Sequence, residues 1–181
     1  METKEVEASS NTMANLKTVP FFLLYLPSEK SHLSKRSVTC PPAWTQISGR
    51  CFKYVPALLP WAQAEKNCQS MGANLASVHS ADEYHNIQML IAKITHGFGT
   101  TWLGGSDCQK TGIWLWSDGT RFNYRHCGKF DNFFWNQHCL QMNYGGNKCW
   151  DDLQCRSKRP SVCLLDLHYT SAPDVISNRK D

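Results

Sequence analysis

All nine cysteines of this 181-residue chain fall between Cys40 and Cys163. That concentration constrains the fold more than any other feature. Dense cysteine in a short segment points to an oxidising compartment and a cross-linked framework. Structural zinc asks for short paired spacings such as C-x2-C. The gaps from Cys139 to Cys149, Cys155 and Cys163 offer none. Because nine is odd, one thiol is left over or bonded to another chain. Spacing alone does not give the pairing.

The length allows one domain with tails. Residues 1–39 read as a leader or linker, residues 40–165 as the domain and residues 166–181 as a flexible tail. In the leader, the apolar run from Val19 to Pro27 is too short to span a bilayer, which takes roughly 20 residues. It has the length of a signal-peptide core, but no small-x-small cleavage site follows. A degenerate signal or propeptide, with the dibasic Lys35-Arg36 as a cleavage site, and a plain disordered linker both fit. Secretion is expected from the cysteines. A net charge of +4 without a long basic block gives nucleic-acid binding little support.

Pro60 to Met71 reads as a helix, with Pro60 at its first position, Gly72 as its stop, and Trp61, Ala64, Cys68 and Met71 on one face. Ser80 and Glu83 form a capping-box pattern before a second helix. Its buried stripe is Ile87, Leu90, Ile91 and Ile94, and Gly97 and Gly99 end it. Short strands follow at Thr101–Gly105, Ile113–Trp116, Cys139–Tyr144, Cys149-Trp150 and Val162–Leu164, after an earlier one around Phe52 and Tyr54. Helices first and strands afterwards make an α+β fold. The stretch from Thr120 to His138 shows little regular pattern, and a loop that long is usually functional.

The stretch Cys127 to Cys155 is the candidate recognition surface, rich in acids, amides, aromatics and turn glycines. No nucleophile elbow, phosphate loop or zinc-protease helix appears, and the Cys-His neighbours at His126-Cys127 and His138-Cys139 involve cysteines expected in bridges. The chain is therefore not read as an enzyme.

Taken in order, Gly49-Arg50-Cys51-Phe52, Trp61 with Cys68, Trp102-Leu103-Gly104-Gly105, Trp114 to Gly119, Trp150-Asp151-Asp152 and Cys163 closely resemble the C-type lectin-like domain family over Cys40 to Cys163. Within it, Gly-Gly-Asn-Lys-Cys-Trp-Asp-Asp and the extra cysteines are most similar to fish type II antifreeze proteins and ladderlectin-type lectins. The resemblance implies the long form of the fold: two helices, two small antiparallel sheets and a long upper loop region. It also implies bridges Cys40–Cys51, Cys68–Cys163, Cys127–Cys149 and Cys139–Cys155. The family's fifth bridge would join Cys108 to position 138, which is His138 here, so Cys108 is expected free or intermolecular.

The resemblance further implies a calcium-assisted sugar site among Lys129, Asp131, Gln137, Asp151 and Asp152. Here the family's Glu-Pro-Asn triplet reads Lys129-Phe130-Asp131. Lys129 puts an ammonium where the ion expects oxygen. Phe130 replaces a proline that the family holds cis, so the loop is expected to change shape. Asp131, Gln137, Asp151 and Asp152 remain as candidate calcium ligands. Three readings stay open: a carbohydrate-binding lectin with this calcium triplet altered or lost, a calcium-independent ice-binding protein, and a protein-binding domain using Phe130, Phe133, Phe134 and Trp135. Non-reducing peptide mapping of the native protein is expected to find eight bonded cysteines and Cys108 apart from those bridges. Reduced thiols clustered on zinc would overturn the framework.

Overall fold

The computed structural model describes residues 39–132, 136–165 and 167. The expected leader signal, Phe133 to Trp135 and nearly all of the tail lie outside the described residues. The elements run β1 (Thr45–Ile47), β2 (Arg50–Leu59), α1 (Trp61–Gln69), β3 (Asn74–Leu75), α2 (Ala81–Thr95), β4 (Thr101–Ser106), β5 (Leu115–Trp116), β6 (Cys139–Tyr144), β7 (Cys149–Leu153) and β8 (Arg159–Leu165).

The strands order β1-β2-β8-β4-β6-β7, with β3 beside β8 and β5 beside β4. Two antiparallel groups are present, but they are not separate sheets. A parallel pairing of β4 with β8, at Trp102 and Ser161, joins them into one hydrogen-bonded network. That single bridge lies too far apart in sequence for a strand pattern to reveal. Along β2 the pairing with β8 slips between Val55 and Leu59. Pro56 sits in that slip, since a proline has no N–H for the ladder.

Both helices form, with shifts at their ends. Pro60 is the N-cap of α1 rather than its first helical residue. The buried face of α1 is Ala64, Glu65 and Cys68, with Trp61 half-buried and its indole Nε1 donating to the Leu103 carbonyl at 2.8 Å. Glu65 is a buried acid that the apolar stripe does not announce. Its carboxylate accepts from Gln69, Asn74, the Leu75 backbone N–H and the Ser117 hydroxyl, all between 2.7 and 2.9 Å. These four donors replace the water that the buried charge gives up. They tie α1 to β3 and to the turn after β5.

In α2, Ile87, Leu90 and Ile91 are buried, while Ile94 is 52% exposed. Tyr84 takes the fourth place on the stripe instead. The helix ends at Thr95, two residues before Gly97, and its C-cap His96 takes the left-handed conformation. Ser80 accepts from the Glu83 N–H at 3.1 Å, as a capping box requires. The Glu83 carboxylate instead reaches the His79 N–H at 2.8 Å and holds Arg50 of β2. Arg50 also donates to the Ser77 hydroxyl and carbonyl. So one guanidinium fastens β2 to the start of α2.

The four bridges are Cys40–Cys51, Cys68–Cys163, Cys127–Cys149 and Cys139–Cys155, the pairing the resemblance implies, and Cys108 is free and exposed. Cys68–Cys163 links α1 to β8 across 95 residues, and both cysteines are fully buried. Closing so long a loop removes much denatured-state entropy. The double variant Cys68→Ala/Cys163→Ala should therefore lose about 4–5 kcal/mol of unfolding free energy. Chemical denaturation against the parent protein checks this; a loss under about 1 kcal/mol would mean that packing, not the bridge, holds α1.

Candidate functional site

The site is built where β6 turns into β7. Tyr144 ends β6 and Gly145 to Lys148 make the turn. Two residues at this corner, Asn143 and Lys148, have left-handed backbone conformations, with φ of 63° and 55°. They are held there from α2. The buried Tyr84 hydroxyl donates to the Lys148 carbonyl and accepts from the Asn143 N–H at 3.2 Å. Burial pushes the Tyr84 hydroxyl up to about 12, so it remains a donor throughout the physiological range. Gln88 adds a bond to Asn143 at 2.9 Å. The Tyr84 ring stacks on His126 at 4.0 Å, and burial lowers the His126 pKa.

The facing wall is the loop that follows Cys127. Cys127–Cys149 staples it to β7, and the Trp150 N–H donates to the Cys127 carbonyl at 2.9 Å. Gly128, with φ 126°, lies so close to the Trp150 carbonyl that an added Cβ would sit 1.9 Å from it. Only glycine can pass here. Asp152, 1% exposed, accepts the N–H groups of Asp131 and Asn132 at 3.1 and 2.7 Å. Asn132 in turn accepts the Gln137 N–H at 2.9 Å. Thus both Asp152 oxygens organise the loop backbone.

Between these walls lies a groove of about 460 Å³, lined by Lys129, Asp131, Gln137, Tyr144, Asn147 and Asp151 among others. Four of the five residues singled out in the sequence are there. The fifth, Asp152, lies beneath, holding the loop. Tyr144 and Asn147 were not singled out. Tyr144 is 53% exposed, and a signal did exist: it closes an alternating strand just before Gly145-Gly146.

Asp151 accepts from the Gln141 amide at 2.7 Å, and Gln141 accepts from Arg159 at 3.1 Å. Burial raises the Asp151 pKa; the Gln141 bond opposes this, and the charges of Asp152 and Asp131 add to it. Burial likewise raises Asp152, against the pull of the Asn132 and Asp131 N–H groups. Three acids thus sit close enough to repel one another. Phe130 is half-buried, its ring 4.7 Å from Trp114 and 3.7 Å below the Arg125 guanidinium. It is loop core, not an open contact surface. At the far side, His138 occupies the expected fifth-bridge position and bonds Asp107 through Nδ1 at 2.8 Å. Cys108 lies 3.7 Å from the Cys155 sulfur.

The profile of the Lectin C-type domain matches residues 57–164, and the chain belongs to this family. It is 40% identical to ladderlectin of Oncorhynchus mykiss over 127 residues, 69% of this chain and 67% of that protein. Two solved type II antifreeze proteins are each 38% identical. The Ca2+-dependent one, in its Ca2+-free form, has a TM-score of 0.64 and is matched over 69% of this chain and 98% of its own. The calcium-independent one has a TM-score of 0.62 and is matched over 70% and 93%.

A raised folded-state pKa means the native protein holds that proton more tightly than the unfolded chain. Stability then falls as pH rises from the ordinary aspartate range through the raised value, and stays lower above it. Asp151→Asn keeps an acceptor for Gln141 and removes the charge. Thermal melts should show this variant above the parent in Tm at neutral pH. The gap should close as pH falls below the ordinary aspartate range; a constant or reversed gap would show that the charge is not opposed there.

Proposed function

We propose that this protein is a secreted, non-catalytic lectin that binds carbohydrate in the groove beside Tyr144 without a calcium ion in the family position. The observation that carries the reading is the groove's mixed lining. Sugar hydroxyls both donate and accept, and the groove offers Lys129 as donor, Asp131 and Asp151 as acceptors, and Gln137 and Asn147 as both. Tyr144 adds a half-exposed ring on which a sugar's C–H face can rest.

Calcium wants six to eight oxygens. Lys129 brings a cation into the same groove. Both Asp152 oxygens already accept backbone N–H groups, and Asp151 accepts from Gln141. This donor set does not fit the ion. The residues Asp131, Gln137, Asp151 and Asp152 are therefore assigned to sugar contact and loop support. Four bridges favour an extracellular setting. Among the described residues no helix is long and apolar enough to cross a membrane.

A second reading, ice binding, is favoured by the likeness to antifreeze proteins of both calcium classes. Binding to a glycan array with and without chelator separates the two, alongside thermal hysteresis. We expect retained neutral glycans whose affinity is unchanged by millimolar calcium or by chelator, and no ice shaping. Tyr144→Ala should weaken binding about tenfold, roughly 1.4 kcal/mol. Binding lost in chelator would overturn the calcium-free assignment; thermal hysteresis with an empty array would replace the lectin reading with ice.

A further inference from the structure

A second concave surface lies outside this groove. It has a volume of about 440 Å³ and is lined by Trp114, Phe122, Asn123, Tyr124 and Arg125, with Gly112 and Ile113 at one end. The segment Arg121-Phe122-Asn123-Tyr124-Arg125 belongs to no strand, yet its burial alternates. Arg121, Asn123 and Arg125 are exposed, while Phe122 and Tyr124 are half-buried. The two rings rest on the indoles below: Phe122 lies 4.7 Å from Trp116, and Tyr124 lies 5.7 Å from Trp150. Trp114 is 6.0 Å from Phe122, and its neighbour Ile113 is 56% exposed.

The charge on this ledge is one-sided. The segment from Arg121 to Arg125 carries two arginines and no acid. Among the described residues no carboxylate lies within ion-pair distance of either. Asp82 is felt at the Tyr124 hydroxyl, but it is not among the described residues lining the groove. Arg125 is also pre-set. Its guanidinium lies over the Phe130 ring, and one Nη donates to the Gly128 carbonyl at 3.4 Å. The other N–H groups of that planar fork have no protein acceptor among the described residues.

We propose that this ledge binds an acidic carbohydrate. A pyranose presents an apolar C–H face, which suits Trp114 and Tyr124. Its sulfate or carboxylate takes the Arg125 fork, which matches planar or tetrahedral oxyanions in a way that a lone ammonium does not. Asn123 serves a neighbouring hydroxyl, and Arg121 adds long-range attraction. A neutral sugar would leave the guanidinium unused. This site is separate from the groove beside Tyr144 and stands whether or not that groove takes neutral sugar.

The test uses the full chain with immobilised dextran sulfate, polygalacturonate and plain dextran at low and physiological salt. The first carries sulfate alone, the second carboxylate alone, and the third is the neutral control. We expect binding to one or both acidic polymers that is weakened by salt and is stronger than any binding to dextran through the groove beside Tyr144. Arg125→Gln should lose about tenfold in affinity. Arg125→Lys should recover only part of it, because the charge returns without the fork. Trp114→Ala should weaken binding and leave its salt dependence unchanged. Circular dichroism and Tm confirm that each variant is folded, and Lys158→Gln, which lines neither concave surface, should bind as the parent does. Equal binding to dextran, no loss in Arg125→Gln, full recovery in Arg125→Lys, or the same loss in Lys158→Gln would overturn the proposal.

Discussion

Between Asp107 and His138 the described chain holds one strand of two residues, Leu115–Trp116, yet it supplies much of both candidate binding surfaces. Ordering an irregular backbone costs about 1–2 kcal/mol per residue, and few ladder hydrogen bonds are available here to offset it. The restraint is covalent and local. Cys127–Cys149 pins the loop to β7, and Cys139–Cys155 closes the base of β6 on the turn after β7. Asp152 then converts a buried charge into two backbone bonds at the loop's tip. Without these three devices the acids and amides of the loop would not share one groove.

The same economy runs through the rest of the molecule. Buried polar and charged groups fasten several of the junctions between elements. Glu65 gathers four donors from α1, β3 and the turn after β5. Glu83 holds Arg50 and the start of α2. Tyr84 holds the β6–β7 corner from the same helix. Each group is satisfied from elements distant in sequence, so each adds specificity to the packing as well as energy. α2 thus positions the groove beside Tyr144 without lining it.

In the calcium-free reading proposed above, Asp152 is where the family's metal chemistry gives way. A carboxylate that accepts two N–H groups has less to offer a cation, and Lys129 supplies positive charge nearby from within the chain. The groove carries the charged side chains of Lys129, Asp131 and Asp151. Such a lining can hold hydroxyls by hydrogen bonds rather than by coordination.

Much of this was legible in the residues. Cysteine density announced an oxidised framework. The 3.6-residue stripe placed α1 and α2, and the ordered motifs named the lectin fold with its pairing. The helix stripes are local patterns set by side-chain periodicity, whereas the pairing followed only from the resemblance to the family. Tertiary structure alone decided what depends on distant partners: that β4 and β8 meet at Trp102 and Ser161, that Ile94 faces out while Tyr84 faces in, and that Asp152 supports the loop while Tyr144 lines the groove. Sequence determines which side chains are available. The three-dimensional packing decides which polar atoms are already spent on the fold and which remain for a ligand, because a hydrogen bond has to be satisfied in space and not along the chain.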